Sequence, residues 1–515
     1  MDGTGAPAFT GDVAFSGDRI LSVTRTAGTA SPAREILDCE GLVVAPGFID
    51  AHTHSDISFF LYPDADSKIT QGVTTEVVGN CGFSAFPVRD ERREMLEEFV
   101  RGLGFPRVPV RWRDYSEYAG ELQRQQPATN VAALVGHGAL RIAVSGSHDV
   151  VTDEDLLGAM ARELREALEQ GAFGLSTGLT YVPSRFITPP EKNRLLEVVR
   201  DHDGLYATHA RADPGLAPFA EAIRLCSTTG TRLQYSHAAL NDPADWGRAE
   251  EVVRLFEIAV EHGVDARYDV YPYAASASAL TQYLPAWLQE RGESAMRKSL
   301  ADEVVRRAAA LDLSRGLFGR IPWDWSRVLI SLAGQDDRDL EGRTVREAAA
   351  ARDCTPERLV VRLCGRYGNS AQVALFYRSE ADVAEFIRHD LSTIGSDGSS
   401  LPLTAPGRPH PRNYGAHARV LERYVADGTL TLEKAVHKCT QAVADRLRLR
   451  DRGVLAEGAY ADIIVFDPGR TRETATWTRP NSLAAGMRGV WVNGRPAVLH
   501  EQPTGVRAGV VLRRS

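Results

Sequence analysis

The sequence lacks long apolar runs and has little cysteine for its length. No stretch is apolar over the roughly 20 residues that a membrane-spanning helix needs, so we expect no membrane partner. The 515-residue chain has six cysteines, scattered without paired zinc-finger spacing, which is typical of reduced thiols and not of a disulfide framework. The first residues also lack the basic and apolar segments of a signal peptide, which favours a cytoplasmic location.

Positive charge is scarcer than negative charge. The 60 basic and 68 acidic residues give a formal net charge of -8, and no basic run resembles a nucleic-acid patch. We therefore expect no nucleic-acid partner. The length is sufficient for one large domain with a smaller companion. Composition thus excludes several classes of protein, but it indicates neither an activity nor an oligomeric state.

Short apolar runs alternate with amphipathic stretches through the middle of the chain. The apolar runs predict strands at 43–50, 74–80, 130–136, 171–176, 205–209, 232–237, 265–271 and 391–396. Most intervals contain a helical pattern, such as 153–170, which begins with acidic residues and ends before Gly171. Eight strands that alternate with helices predict an α/β fold, a parallel (β/α)8 barrel.

Two regions do not follow this alternation. Residues 1–42 and 450–515 contain short β-like segments with glycine turns, and we predict that both chain ends form one small β-sandwich domain beside a barrel at 43–449. The segment at about 274–390 is too long for an ordinary barrel loop. It is either a lid over the functional site or a subdomain that only packs against the barrel.

Side chains that bind metals follow several of the predicted strands, and barrel enzymes carry their active sites at the carboxyl ends of their strands. These residues are His52, His54, Cys81, His209, His237 and Asp397. His52 and His54 are two residues apart, so in an extended chain their side chains point to the same side. Each residue alone has a structural explanation, but all six at one end of a barrel predict a metal site.

The donor atoms indicate which metal this site binds. Imidazole and thiolate ligands favour Zn2+ over Mg2+ or Ca2+. A zinc ion with an open coordination position generates hydroxide from water. Asp397 is suited to carry a proton from that water to a leaving nitrogen. The set therefore predicts hydrolysis of an amide-like bond.

The motifs around these residues resemble those of the amidohydrolase superfamily and, within it, the N-acyl-D-amino-acid deacylases, or D-aminoacylases. The resemblance covers nearly the whole chain and rests on the segments 46–54, 79–84, 136–141, 174–181, 236–237, 269–273, 395–398 and 458–468. The segment Asn80-Cys81-Gly82 is the specific part. Most binuclear relatives bridge their metals with a carboxylated lysine from strand four, which is absent here, whereas D-aminoacylase-like members use a cysteine from strand two.

The resemblance implies a tightly held zinc ion on Cys81, His209 and His237. It also implies a weaker second divalent site that shares Cys81 and adds His52, His54 and Asp397. Asp397 would act as general base and then as general acid. The implied reaction is deacylation of a small N-acyl-D-amino acid or a related N-acyl amine. Two alternatives stay open: a cyclic-amide hydrolase of the hydantoinase or dihydropyrimidinase type, and a metal-binding homologue without activity.

The chain departs from the family pattern where the family binds its substrate. Ala239 stands where the family has a lysine that helps to hold the substrate carboxylate, and Ala416-His417-Ala418 stands where it has Thr-Phe-Pro. We therefore expect a changed substrate, whose carboxylate is absent or held differently; alternatively, a residue of the 274–390 insertion supplies the missing charge. The candidate substrate contacts are Tyr181, Tyr273, Ser278, Arg412 and Arg419.

The family pattern also has one more strand before Asp2. We expect either that the small β domain is one strand short or that the true start of the chain lies upstream.

Overall fold

Eight parallel strands close into a barrel in the computed structural model, which describes residues 1–28, 33–150 and 152–514. The barrel strands are Phe48–Asp50, Val73–Val78, Asn130–Ala133 with its continuation Val135–Gly136, Gly174–Gly178, Leu205–His209, Arg232–Tyr235, Ala266–Val270 and Ser392–Ile394. Neighbours in the chain are neighbours in the barrel. The last strand closes on the first because the backbone N–H of Ala51 donates to the carbonyl of Ile394 at 3.2 Å.

Helices cover the outside of the barrel. They are Asp66–Ile69, Arg93–Val100, Tyr115–Gln125, His137–Ser145, Glu154–Glu169, Pro189–Asp201, Ala217–Thr229, Ala249–Glu261, Glu380–Arg388, Arg412–Arg419, Leu432–Lys438 and Gln441–Leu447. The local sequence explains some of their starts: the Asp153 carboxylate accepts from the backbone N–H of Leu156 at 2.9 Å and so caps the helix that follows. Among the described helices, none is both long and apolar enough to cross a membrane.

The long segment between the seventh and eighth barrel strands has a core of its own. Its antiparallel sheet consists of Ser276–Ala279, Gln372–Leu375 and Val328–Leu332, in that spatial order. Its helices are Ala286–Gln289, Glu293–Ser299, Glu303–Leu313, Val345–Ala351 and Pro356–Tyr367. Buried side chains such as Trp325, Leu359 and Val373 pack together between the sheet and the helices. The segment is therefore a packed subdomain inserted into the barrel.

The two chain ends meet in one antiparallel sheet. Its strands are, in spatial order, Gln502–Pro503, Arg495–Leu499, Met487–Val492, Ile463–Phe466 and Val43–Pro46. A separate hairpin of Val13–Ser16 and Arg19–Val23 lies beside it, and the N–H of Ile20 donates at 2.9 Å to the carbonyl of Ala459, ahead of the strand Ile463–Phe466. The predicted fold, a (β/α)8 barrel with a small β domain formed by both chain ends, is confirmed.

The apolar run at 43–50, interpreted from sequence as one strand, is two strands in two sheets. Val43–Pro46 pairs with Ile463–Phe466 in the chain-end sheet, and Phe48–Asp50 pairs with the second barrel strand. Gly47 lies between them, and a Cβ atom there would approach Oγ1 of Thr74 to 2.2 Å. Because both halves are apolar, the sequence pattern does not show that the chain changes sheets at this glycine.

The end of the chain returns to the barrel. The backbone N–H of Val131 donates to the carbonyl of Val510 at 2.9 Å, and that of Leu512 donates to the carbonyl of Val131 at 2.8 Å. These bonds place residues 510–512 beside the third barrel strand.

Candidate metal centre

All six predicted metal ligands converge at the carboxyl end of the barrel. Their donor atoms form two groups that share Cys81, and within each group all donor atoms lie within 4.8 Å of one another. One group consists of His52, His54, Cys81 and Asp397, and the other consists of Cys81, His209 and His237.

In the first group, the sulfur of Cys81 lies 3.3 Å from Nε2 of His52. Oδ1 of Asp397 lies 3.0 Å from Nε2 of His54 and 3.5 Å from Nε2 of His52. Nδ1 of His54 is buried and has no hydrogen-bond partner. Sulfur, nitrogen and carboxylate oxygen thus surround one point.

In the second group, the same sulfur lies 3.4 Å from Nε2 of His237, and that nitrogen lies 3.0 Å from Nδ1 of His209. Burial lowers the pKa of His209 to about 3, and burial together with His209 lowers the pKa of His237 well below its usual value. Both rings are therefore neutral at pH 7, and a neutral imidazole nitrogen has the lone pair that a metal needs.

The backbone is strained at three of these residues. Cys81, His237 and Asp397 have φ values of 53°, 39° and 51°, in the left-handed region that residues other than glycine rarely occupy. Such conformations cost of order 1–3 kcal/mol each and persist only where the surrounding structure enforces them. Each of the three follows a barrel strand, so the strained turns direct their side chains toward the common centre.

The Cys81 thiol and the neighbouring His52 ring both hold a proton that a bound cation would displace. Burial raises the pKa of the Cys81 thiol, so it stays protonated until a cation binds and stabilises the thiolate. Burial alone would lower the pKa of His52, but the carboxylate of Asp269 raises it well above its usual value, so a bound cation would displace a proton from His52 as well as from Cys81. The donor set of nitrogen, sulfur and carboxylate oxygen therefore fits a divalent metal of the zinc type.

Two residues that the sequence does not single out contact nitrogens of the predicted ligand rings. Nδ1 of His52 lies 3.1 Å from Oδ1 of Asp269, and Nε2 of His209 lies 2.8 Å from Oγ1 of Thr180. Such contacts orient metal-binding imidazoles and decide which ring nitrogen carries the proton. The signal for Asp269 is an acidic residue within a buried strand, Ala266–Val270.

Asp397 has a partner on its other oxygen as well. Arg412 donates to Oδ2 of Asp397 at 2.7 Å. Burial alone would raise the pKa of Asp397, but Arg412 and the surrounding histidines hold it well below its usual value. Arg412, predicted as a substrate contact, is thus already paired with the candidate proton carrier.

A cavity of about 250 Å3 opens onto both groups of ligands. Of the predicted substrate contacts, Tyr181, Ser278 and Arg412 line it, and so does Ala239. Ser278 Oγ lies 2.7 Å from the hydroxyl of Tyr283, a further lining residue. The insertion contributes apolar lining residues, among them Leu317 and Ile321. Subdomain and barrel thus enclose the space in front of the metal centre together.

Tyr273 and Arg419, the other two predicted substrate contacts, lie outside this lining. The hydroxyl of Tyr273 donates to Glu473 at 2.6 Å, and Arg419 pairs with the same carboxylate at 3.0 Å. Glu473 is 200 residues from Tyr273 and comes from the segment that follows the strand Ile463–Phe466. The two residues therefore tie the chain-end domain to the barrel, a contact that the sequence spacing does not show.

Arg378 is a cavity residue that sequence reasoning missed. It is 8% exposed, and its guanidinium lies 4.3 Å above the ring of Tyr271. Nε lies 3.4 Å from Oδ1 of Asn241, whereas Nη1 is buried without a hydrogen-bond partner. Arg378 is close to the end of the insertion. The insertion therefore supplies a positive charge to the cavity, which Ala239 also lines but cannot supply with charge.

Comparisons with known proteins find similar sequences over most of the chain. Residues 35–498 match the amidohydrolase family. The chain is 34% identical to N-acyl-D-glutamate deacylase of Alcaligenes xylosoxydans xylosoxydans, over 100% of this chain and 95% of the relative.

Solved structures are similar over the same length. The crystal structure of N-acyl-D-glutamate deacylase from Bordetella bronchiseptica, complexed with zinc and a phosphonate inhibitor that mimics the tetrahedral intermediate, has a TM-score of 0.83 and 32% identity over 99% of this chain and 97% of that one. A D-aminoacylase structure with a binuclear metal centre has a TM-score of 0.82 and 33% identity over 100% and 98%. Together with the donor geometry, these similarities support a metal site in this chain.

Proposed function

The chain belongs to the amidohydrolase family, and we propose that it removes the acyl group from N-acyl-D-amino acids by metal-dependent hydrolysis of the amide bond. The observation that carries this proposal is the cluster of Cys81, His209 and His237 beside Asp397, at a cavity that contains one buried, unpaired arginine atom. The cluster offers a metal site, Asp397 offers a proton carrier, and the arginine offers a partner for a carboxylate.

The metal is zinc, held tightly by Cys81, His209 and His237. A second, weaker divalent site shares Cys81 and adds His52, His54 and Asp397. The neutral rings of His209 and His237 and their 3.0 Å approach to each other support the first assignment. Zinc supplies Lewis acidity, which polarises a substrate carbonyl and lowers the pKa of water to about 7.

Asp397 carries the proton. Its low pKa leaves the carboxylate free of a proton before reaction, as a general base requires. Asp397 takes a proton from the attacking water and then delivers it to the amide nitrogen as the C–N bond breaks. Arg412 and His54 hold its two oxygens, so the carboxyl group keeps one orientation through both steps.

Arg378 holds the substrate carboxylate. Its free Nη1 is the donor that a carboxylate in the cavity would meet, and hydrogen bonds between charged groups are about twice as strong as neutral ones. The hydroxyls of Ser278 and Tyr283 lie in the same cavity and are bonded to each other, so one of the two has a proton left to donate. The substrate thus keeps its carboxylate. Arg378 of the insertion binds this carboxylate, and Ala239 lies on a different element.

The two alternative functions have less support. A cyclic-amide hydrolase of the usual binuclear type needs a lysine in the fourth barrel strand, and Gly174–Gly178 contains none. A homologue without activity would not need an ionised Asp397 next to a complete set of donors.

The experiment that tests the proposed function is a substrate screen of the zinc-loaded protein. It compares N-acetyl-D-methionine with its L enantiomer, with an N-acetyl amine that has no carboxylate, and with a hydantoin. We expect release of free amine from the D enantiomer, much slower release from the L enantiomer and from the N-acetyl amine, and no opening of the hydantoin ring to the N-carbamoyl amino acid. Turnover of the hydantoin alone, or of no amide with zinc bound, would refute the proposal.

A further inference from the structure

We propose that Asp269 is a positioning residue that couples the two halves of the metal centre, because one of its oxygens holds a ligand residue of each half. The inference rests on the proposed function, which places a metal ion in each half. Asp269 touches neither substrate nor metal and acts through His52 and His237.

The shared contact is made by a single atom. Oδ1 of Asp269 lies 3.1 Å from Nδ1 of His52, and the same Oδ1 accepts the backbone N–H of His237 at 2.8 Å. His52 belongs to the first group of donors and His237 to the second. Asp269 is 1% exposed, so no solvent intervenes between the two contacts. A displacement of this oxygen therefore moves both groups.

On the side of His52, the contact fixes the ring. With Nδ1–H directed at the carboxylate, Nε2 faces the sulfur of Cys81 at 3.3 Å and Asp397 at 3.5 Å. A carboxylate behind an imidazole fixes the tautomer and raises the basicity of the other nitrogen toward a metal. The first half thus depends on the charge of Asp269.

On the side of His237, the contact fixes the backbone. His237 has a φ of 39°, and its N–H is bonded to Asp269 while the N–H of Ala238 donates to the carbonyl of Asp269 at 2.8 Å. Both bonds hold the turn after the sixth barrel strand in the conformation that directs His237 to Cys81. The second half thus depends on an acceptor oxygen at Asp269, not on its charge.

Two substitutions separate these roles. Asp269→Asn keeps an oxygen that accepts from the N–H of His237 but removes the charge behind His52, so we expect the weaker site to lose about 10- to 100-fold in affinity and the tight site to change little. Asp269→Ala removes both contacts, so we expect both sites to weaken. Because Asp269 contacts a ligand residue of each half, we also expect each variant to change the effect of one bound ion on the affinity for the other.

The measurement is a titration of the metal-free protein with Co2+, followed by the Cys81 thiolate-to-cobalt charge-transfer absorption, together with Zn2+ binding by calorimetry and thermal unfolding. Both metal groups include Cys81, so the absorption reports on each half. Asp337→Asn is the matched control, because Asp337 is a buried carboxylate bonded to Arg352, Arg366 and Tyr367 within the insertion. It is expected to lower thermal stability without a change in either metal affinity.

The outcomes distinguish this inference from the proposed function. The coupling role would be overturned if the wild type bound two ions and Asp269→Asn gave the same isotherm. It would also be overturned if the wild type bound a single ion. Both results would leave the hydrolase proposal standing. A wild-type protein that binds no metal would overturn both. We expect the metal affinity of the weaker site to fall in Asp269→Asn and Asp269→Ala and to stay unchanged in Asp337→Asn.

Discussion

The guanidinium of Arg412 lies 2.7 Å from Oδ2 of Asp397, opposite the contact between Oδ1 of Asp397 and Nε2 of His54. A guanidinium carries a delocalised positive charge and can donate to a carboxylate. The pair therefore keeps the carboxyl group ionised although it is buried, which is the state in which it accepts a proton.

Arg412→Met should raise the pKa of Asp397, since the nearest positive charge is lost while burial remains. Activity requires the ionised carboxylate, so the acid limb of the profile of kcat/KM against pH should move to higher pH. Arg419→Met is the control, because Arg419 pairs with Glu473 outside the cavity. An acid limb that stays in place in Arg412→Met would contradict the role of this pair.

Asp397→Ala should separate metal binding from turnover. The tight zinc is held by three other residues and should remain, whereas loss of the proton carrier should reduce kcat by about 10²- to 10⁴-fold. Elemental analysis and steady-state kinetics on the same sample check both expectations. Unchanged kinetics would remove Asp397 from the reaction.

Arg378→Met should impair only substrates that have a carboxylate. Loss of a charged hydrogen bond of about 1.5–3 kcal/mol corresponds to roughly a 10- to 100-fold fall in kcat/KM for an N-acyl-D-amino acid. Slow cleavage of an N-acyl amine without a carboxylate should be unaffected. Arg320→Met serves as control, since Arg320 also lines the cavity but is paired with Asp242. Equal losses for both substrates would contradict a carboxylate contact.

His417 should make folding sensitive to pH. Its ring is fully buried and stacked on Phe48, neither nitrogen has a hydrogen-bond partner, and burial lowers its pKa to about 4. Between pH 4 and about 6.5 the unfolded chain binds a proton that the folded chain excludes, so this residue makes stability rise with pH, by a total on the order of 3 kcal/mol.

His417→Phe should remove that dependence, because phenylalanine cannot bind the proton. Phenylalanine is also what the family pattern has at this position, so the site should accommodate the ring. Urea unfolding of wild type and variant at pH 5 and pH 7 gives the difference. Equal changes in unfolding free energy with pH for both proteins would show that His417 is not the cause.

The sequence predicts the barrel and the convergence of His52, His54, Cys81, His209, His237 and Asp397, because strand ends can be located by apolar runs and all parallel strands end on one side. It does not predict the change of sheet at Gly47, since both flanking strands are apolar.

Contacts between distant elements also escape the sequence. Glu473, which binds Tyr273 and Arg419, belongs to a chain-end segment whose position in space no local pattern reveals. The sequence does not single out Asp269 and Arg378 for a related reason. The role of Asp269 depends on its contact with His52 on another strand, and the role of Arg378 depends on its position in the wall of the cavity.

The most direct test of the account is a zinc titration of the metal-free protein, with deacylation of an N-acyl-D-amino acid measured at each step and Cys81→Ala run in parallel. We predict that activity appears with the first equivalent of zinc in the wild type and that the variant binds no tight zinc and stays inactive. Full activity of the metal-free wild type, or of Cys81→Ala, would contradict the account.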